Sequence, residues 1–140
     1  MLQPMRFFIC LLAVALCVGG CKKKVEKVQE DLLMKLIVEG QWTITKFKKG
    51  SADVTTDFSP YRFQFKRDYT VDALKTNNLE TTGTWDGSIA TKTIISNFPN
   101  PNPILVLLNG TWLITDSGLT YVESTQTVSG EKRFLRMDKK

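Results

Sequence analysis

The sequence has no histidine and little cysteine. Its three cysteines, Cys10, Cys17 and Cys21, all lie near the beginning of the 140-residue chain. The lack of histidine excludes Ser–His and Cys–His nucleophilic pairs, together with most zinc, copper and haem sites. Carboxylates remain as candidate catalytic groups.

The carboxylates do not form a catalytic or metal-binding pattern. Asp57, Asp86 and Asp116 lie in turn contexts, where aspartate serves the backbone conformation. No loop carries acidic residues at alternate positions, as oxygen-ligand calcium sites do. Residue types alone leave a two-carboxylate hydrolase open, but we predict a non-enzyme that uses no metal and no cofactor.

The excess of positive charge is local. The chain has 19 Lys and Arg against 14 Asp and Glu, which gives a formal net charge of +5. Arg6 and the run Lys22–Lys24 account for nearly all of the excess. No basic stripe with interleaved aromatic residues, the pattern of a nucleic-acid surface, is visible. We therefore predict no nucleic-acid partner.

The apolar run Phe7–Val18 follows Arg6 and has the length of a signal-peptide core, too short to span a bilayer. Two glycines, Cys21 and three lysines come next. An ordinary secretory signal peptide with a coincidental cysteine is one interpretation. The segment VGGC, however, resembles the lipobox of bacterial lipoproteins. The resemblance implies that residues 1–20 are a signal peptide and that Cys21 carries diacylglycerol on its sulfur and an acyl chain such as palmitate on its amine.

This processing would remove Cys10 and Cys17 and attach the chain to a membrane through several acyl chains, which anchor firmly. Lys22–Lys24 would then meet anionic head groups. Lysines at this place differ from the acidic export signal of surface lipoproteins in Bacteroidota. We expect a cell-envelope location on the periplasmic face of the outer membrane, with the inner membrane as the alternative.

A short amphipathic helix is predicted over VEKVQEDLLMKLIVE, residues 25–39, with Gly40 as its C-cap. Its apolar residues are spaced as one helical face: Val25, Val28, Leu32 and Leu36. Residues 21–39 thus comprise the lipid-anchored cysteine, a basic tether and this helix, and residues 40–140 form one further domain. The apolar face suits either a lipid surface or the end of that domain.

After Gly40 the chain consists of short, mostly alternating runs rich in β-branched and aromatic residues. The runs are QWTITKFK, YRFQFK, YTVDAL, LETTGTWD, TKTIISN, ILVLL, GTWLIT, LTYVESTQT and KRFLRM. The pairs predicted as turns are Asp86-Gly87, Asn109-Gly110, Ser117-Gly118 and Ser129-Gly130. This pattern predicts an all-β antiparallel sandwich or closed barrel.

A glycine precedes each of the three tryptophans by two residues. The segments are Gly40-Gln41-Trp42, Gly83-Thr84-Trp85 and Gly110-Thr111-Trp112. Strand alternation puts each glycine on the same face as its tryptophan, where the missing side chain leaves room for an indole or a bend. The alternative is three core tryptophans that follow turn glycines.

The stretch from Leu32 to Lys140 resembles the small lipocalin-like lipoproteins of Bacteroidota. The resemblance rests on LIVEGQWTITKF, YRFQFKRDYTV, GTW, NGTWLITDSGLTYV and KRFLRM in that order. It implies an all-β, up-and-down barrel after one short helix, with Gly40-Gln41-Trp42 at its base and Arg133 or Arg136 over the indole through a cation–π contact. The chain is shorter than a true lipocalin and lacks the helix after the barrel, so a closed eight-stranded calyx and a more open meander both stay possible.

Tyr61, Phe63 and Phe65 share one face of their run, and Arg62 and Gln64 share the other. We expect the three rings to point inward, because burying them is far more favourable than burying an unpaired arginine. The residues predicted to line a ligand site are Trp42, Ile44, Tyr61, Phe63, Phe65, Trp85 and Trp112.

The segment NFPNPNP, residues 97–103, is predicted to be a stiff loop, because its alternating prolines cannot join a strand ladder. It is a rigid connection, the rim of a barrel mouth, or a segment that presents Phe98 to a partner.

Two functions fit these observations. The first is non-catalytic binding of a small apolar or lipid-like ligand inside the barrel, which the resemblance implies. The second is an interaction module of the cell envelope, with a barrel filled by its own aromatic residues and a surface that binds a protein partner.

Overall fold

The computed structural model describes residues 23–140, so the predicted signal peptide and Cys21 lie outside the described residues. A helix, α1, occupies residues 23–38. Gly40 follows it with a φ of +79°, the left-handed conformation that commonly ends a helix. The chain divides into two compact units, one that ends at Lys35 and one that runs from Leu36 to Lys140.

The second unit is built almost entirely of β-strands, as the alternating runs predict. The strands are β1 Trp42–Lys49, β2 Ala52–Asp53, β3 Tyr61–Phe65, β4 Thr70–Lys75, β5 Asn78–Ser88, β6 Thr93–Asn97, β7 Gly110–Ser117, β8 Tyr121–Val128 and β9 Glu131–Lys139. Two short 3₁₀ helices, Thr55–Phe58 and Leu105–Leu108, interrupt the strands.

The sheet closes into a barrel. Every neighbouring pair is antiparallel, in the order β1-β3-β4-β5-β6-β7-β8-β9, and β1 also pairs with β9. The two-residue strand β2 pairs only with the far part of β1, so eight strands form the closed wall. The prediction of an up-and-down barrel after one short helix is confirmed, and the more open meander is ruled out by the β1–β9 pairing.

The strand connections define two ends of the barrel. At the upper end, β1 begins, β9 finishes, and three hairpins lie at residues 66–69, 89–92 and 118–120. The lower end carries the two long connections, residues 50–60 and 98–109. Each long connection contains one of the 3₁₀ helices.

Three local predictions were wrong. The run ILVLL was predicted as a strand, but Leu105–Leu108 is a 3₁₀ helix. Asp86-Gly87 lies inside β5 rather than in a turn. Asn109-Gly110 is not a two-residue hairpin turn, because the amide side chain of Asn109 bonds the backbone of Phe98 on the other side of the long connection.

No helix within residues 23–140 is long and apolar enough to cross a membrane.

Candidate functional site

The lower half of the barrel interior is filled by aromatic rings. Phe47 points inward from β1 and stacks on Phe58 of the first 3₁₀ helix, with 4.8 Å between ring centroids. The edge of Phe47 meets Trp112 of β7 at 5.9 Å. All three side chains are buried. The connection 50–60 therefore inserts its phenylalanine into the lower end as a plug.

The second long connection closes the same end. Phe98, Leu105 and Leu108 are buried, and the Phe98 ring lies 6.3 Å from that of Phe63. The amide side chain of Asn109 accepts a hydrogen bond from Phe98 N at 2.7 Å and donates one to Phe98 O at 3.2 Å. Residues 97–103 thus act as a rigid connection that buries Phe98 in the core.

A small polar cluster fixes this connection to the wall. The Tyr61 hydroxyl donates to Glu80 Oε2 at 2.6 Å, and Asn102 Nδ2 donates to the Tyr61 oxygen at 2.7 Å. Asn102 Oδ1 accepts bonds from the backbone N–H groups of Ile104 and Leu105. Burial, and then the bond to Glu80, raise the pKa of Tyr61. The hydroxyl is engaged on both sides, which gives it a structural role.

The residues predicted to line a ligand site lie on the inner face, but their contacts are mostly with one another. Trp42, Ile44, Tyr61, Phe63, Trp85 and Trp112 are buried, and Phe65 is partly exposed. Tyr61 stacks on Phe63, and Phe65 meets Trp85 edge-on at 5.4 Å. These rings form the packed core of the barrel.

Each tryptophan also holds a neighbouring segment through its indole N–H. Trp42 Nε1 donates to Ile37 O at 2.8 Å, Trp85 to Lys66 O at 3.1 Å, and Trp112 to Leu108 O at 2.9 Å. The three acceptors lie in the last turn of α1, in the hairpin 66–69 and in the second 3₁₀ helix. Each of the three tryptophans therefore attaches one of these segments to the barrel wall.

The three glycines that precede these tryptophans serve different purposes. A Cβ on Gly83 would lie 2.5 Å from Asn97 O and 2.8 Å from the Phe98 ring. A Cβ on Gly110 would lie 2.6 Å from Gln126 Nε2. The space predicted for an indole is used by Phe98 and Gln126, while Gly40 ends the helix.

Three barrel side chains donate hydrogen bonds to the last carbonyl oxygens of α1. Lys139 Nζ donates to Leu36 O at 2.6 Å, and Gln64 Nε2 donates to Val38 O at 3.2 Å. The indole of Trp42 takes the carbonyl between them. The last carbonyls of a helix have no intrahelical partner, and a cation there also meets the negative end of the helix dipole. Residues 36–38 are thus fixed to the β9–β1–β3 side of the upper end.

Lys139 lies over Trp42, in the role predicted for Arg133 or Arg136. Its Nζ is 5.3 Å from the ring centroid, because the barrel register places it directly opposite Trp42. Arg133 bonds Glu131 and Gln126 instead. Arg136 is on the outer face, 4.5 Å above the Tyr121 ring.

The upper end differs on its β6–β7–β8 side. Ile94 is directly opposite the buried Trp112, and Ile114 is directly opposite the buried Ser124, so both face inward. Val122 faces inward opposite Met137. All three side chains are nevertheless partly exposed. Solvent therefore reaches an apolar inner surface here, which we call the upper mouth (Ile94, Ile114 and Val122).

Two exposed apolar residues stand in the hairpins beside the upper mouth. Leu119, in the hairpin 118–120, is 76% exposed, and Ile89, in the hairpin 89–92, is 42% exposed. Sequence reasoning missed all five of these residues. The available signal was a leucine and an isoleucine inside turn segments, where polar residues are the rule.

The ionisable groups with shifted pKa values are mostly in pairs on the outer wall. The pKa of Asp72 is lowered mainly by Lys66, with 2.7 Å between Nζ and Oδ2. The pKa of Asp138 is lowered mainly by Arg136, which bonds both of its carboxylate oxygens at 3.0 Å. Across residues 23–140, no group of three or more Cys, Asp and Glu side chains is arranged to hold a metal ion.

Comparison with known proteins supports the fold. No protein-family model matches the chain, and no curated protein shows significant similarity to it. The crystal structure of a DUF4847 family protein from Bacteroides vulgatus ATCC 8482 is similar, with a TM-score of 0.53 and 16% sequence identity. The match covers 76% of this chain and 96% of that one. At this identity the likeness shows a shared barrel fold.

Proposed function

We propose that this chain is a non-catalytic lipoprotein, anchored to the envelope membrane through Cys21, that binds small apolar or lipid-like molecules at its upper mouth. The anchor rests on the lipobox-like VGGC. The binding role rests on one observation above all. Inward-facing Ile94, Ile114 and Val122 stay partly exposed, whereas the aromatic rings of Phe47, Phe58 and Trp112 fill the lower half and are buried.

The chemistry of the upper mouth suits an apolar ligand. Its three lining side chains are aliphatic, and the buried Met137 and Ile44 extend the apolar inner surface from Val122 across β9 to β1. Apolar area removed from water contributes roughly 25 cal/mol per Å² to binding. The packed rings of the lower half restrict such a ligand to the upper half of the barrel.

A dye titration tests the binding role. The chain from residue 21 with Cys21→Ser is titrated with an environment-sensitive apolar dye, and saturable binding is expected. Ile114→Gln should weaken it at least tenfold, because Ile114 faces inward. Leu113→Gln is the matched control, since the neighbouring Leu113 faces outward and is 50% exposed. Equal losses in the two variants would show that the dye binds elsewhere.

A second experiment tests the anchor. Cys21→Ala in the full-length chain should leave the protein uncleaved or miscleaved and move it to the soluble fraction. The unchanged protein should partition into detergent with the added mass of its acyl chains. An unmodified Cys21 in the mature protein would contradict the proposed anchor.

The interlocked rings of the lower half favour a second candidate, an interaction module whose barrel is filled and whose surface binds an envelope protein. Saturable dye binding that Ile114→Gln abolishes would argue against this candidate. Absence of any saturable binding would favour it.

A further inference from the structure

The helix α1 carries a row of apolar side chains that remain exposed to solvent. Val25, Val28 and Leu32 are 54%, 57% and 63% exposed. Their spacing of three and four residues places them on one side of the helix. Glu26, Lys27, Glu30 and Asp31 occupy other directions around the axis. We call the three apolar residues the α1 stripe.

The described part of α1 begins with two basic residues. Lys23 and Lys24 are the first two described residues of the helix. Both lysines are exposed. Exposed basic side chains at this place suit an anionic surface outside the helix.

The position of α1 along the chain indicates which surface this is. The described part of the helix begins two residues after Cys21, the residue proposed to carry the acyl chains. A helix with an apolar stripe and basic residues, so close to a membrane anchor, matches the chemistry of interfacial helices, which lie in the head-group region and favour anionic lipids.

We propose that the α1 stripe binds the surface of an anionic lipid membrane, with Lys23 and Lys24 at the head groups. The helix is then a second membrane contact beside the acyl anchor. This inference rests on the proposed anchor only for the choice of membrane, and the unlipidated chain tests it separately.

The binding experiment uses the chain from residue 21 with Cys21→Ser, which keeps the whole helix and barrel. Co-sedimentation is measured with phosphatidylcholine vesicles that contain about a third phosphatidylglycerol. The double variant Val28→Gln/Leu32→Gln should reduce partitioning at least tenfold. Glu30→Asp, which keeps the charge on the polar side, is the matched control and should bind as well as the parent chain. Lys23→Gln and Lys24→Gln should each cost about fivefold at low salt.

The orientation experiment uses the lack of cysteine in this chain, since its three cysteines all lie at or before residue 21. A single cysteine at Val28 or at Lys27 is labelled with a polarity-sensitive fluorophore. Vesicles should shift the emission to the blue at position 28 and leave position 27 nearly unchanged.

Three results would overturn the proposal. These are equal partitioning of the stripe variant and the parent chain, equal shifts at positions 27 and 28, and a blue-shifted label at position 28 before vesicles are added. The last result would mean that the stripe is already covered by protein. Dye binding at the upper mouth and acylation of Cys21 are measured separately, so failure here leaves the proposed function standing.

Discussion

The two ends of the barrel are formed by the same eight strands but are filled in different ways. At the lower end, the long connections 50–60 and 98–109 turn back and insert Phe58 and Phe98 between the strands. At the upper end, short hairpins join the strands on the β6–β7–β8 side, and the inner residues there stay partly exposed. The connections, more than the strands, thus decide whether an end of this barrel is packed or accessible.

The largest expected effect is at the lower plug. Phe58→Ala should lower the free energy of unfolding by about 3–5 kcal/mol, because it removes a fully buried ring that stacks on Phe47. Leu119→Ala at the upper end should change it by less than about 0.5 kcal/mol. Urea unfolding followed by tryptophan fluorescence measures both. Similar costs for the two variants would remove the contrast between the ends.

A smaller effect is expected from a pair of glycines in β5. Gly83→Ala should destabilise the protein by about 1–3 kcal/mol, since the new methyl group would collide with the backbone oxygen of Asn97 and the Phe98 ring. Gly87→Ala is its control, because the nearest atom to a Cβ there is 3.8 Å away. Thermal unfolding of both variants measures the difference. If Gly83→Ala were tolerated as well as Gly87→Ala, the lower connection would have to be loosely packed.

The attachment of α1 at the upper end should contribute less. Lys139→Met keeps the aliphatic chain but loses the cation over Trp42 and the bond to Leu36 O. The expected loss is about 1 kcal/mol, together with faster hydrogen exchange of the amides in residues 36–40. Lys140→Met, at the exposed neighbouring position, should have little effect. Unchanged hydrogen exchange in Lys139→Met would show that the bonds from Trp42 and Gln64 alone hold the end of α1 on the barrel.

The smallest effect concerns the outer wall. Because Arg136 lowers the pKa of Asp138 in the folded protein, the pair stabilises the fold at pH values above the unfolded pKa of about 3.9. This contribution is lost as the pH falls through the lower folded pKa. Asp138→Asn should therefore cost under about 1 kcal/mol at pH 7, and progressively less as the pH falls through the lowered folded pKa. A cost that grows on acidification would have the wrong sign. Dye affinity at the upper mouth should not change, because Asp138 points outward.

The strands and the core aromatics were predictable from the sequence because alternation is a local property. Tyr61, Phe63 and the three tryptophans are on the inner face, as expected. The error at ILVLL has a local cause as well. A short apolar run does not by itself distinguish a strand from a helical turn, and here the amide side chain of Asn102 accepts bonds from the backbone at its start.

The partner of Trp42 could not be predicted, because it depends on a register between distant strands. Trp42 is directly opposite Lys139. Because side chains alternate along β9, Arg136 then points outward, and Arg133 is too far from Trp42, six residues before Lys139 in the strand. The upper mouth was missed for the same kind of reason. Ile94, Ile114 and Val122 look like ordinary core residues in sequence, and only the lack of a covering connection leaves them exposed.

The closure of the barrel has a consequence for how the chain folds. The closed wall has eight strand pairings. Seven of them join strands that are consecutive in the wall and, apart from the short β2, in the chain, so these pairings can form locally. The eighth pairing joins the first strand, β1, to the last, β9, with Trp42 opposite Lys139. Until β9 has been synthesised and has paired, β1 and β8 each have one unpaired edge. Such edges can pair with another chain and cause aggregation. Folding of this protein should therefore be slow and limited by one late, long-range step, during which a chaperone that shields strand edges would matter most.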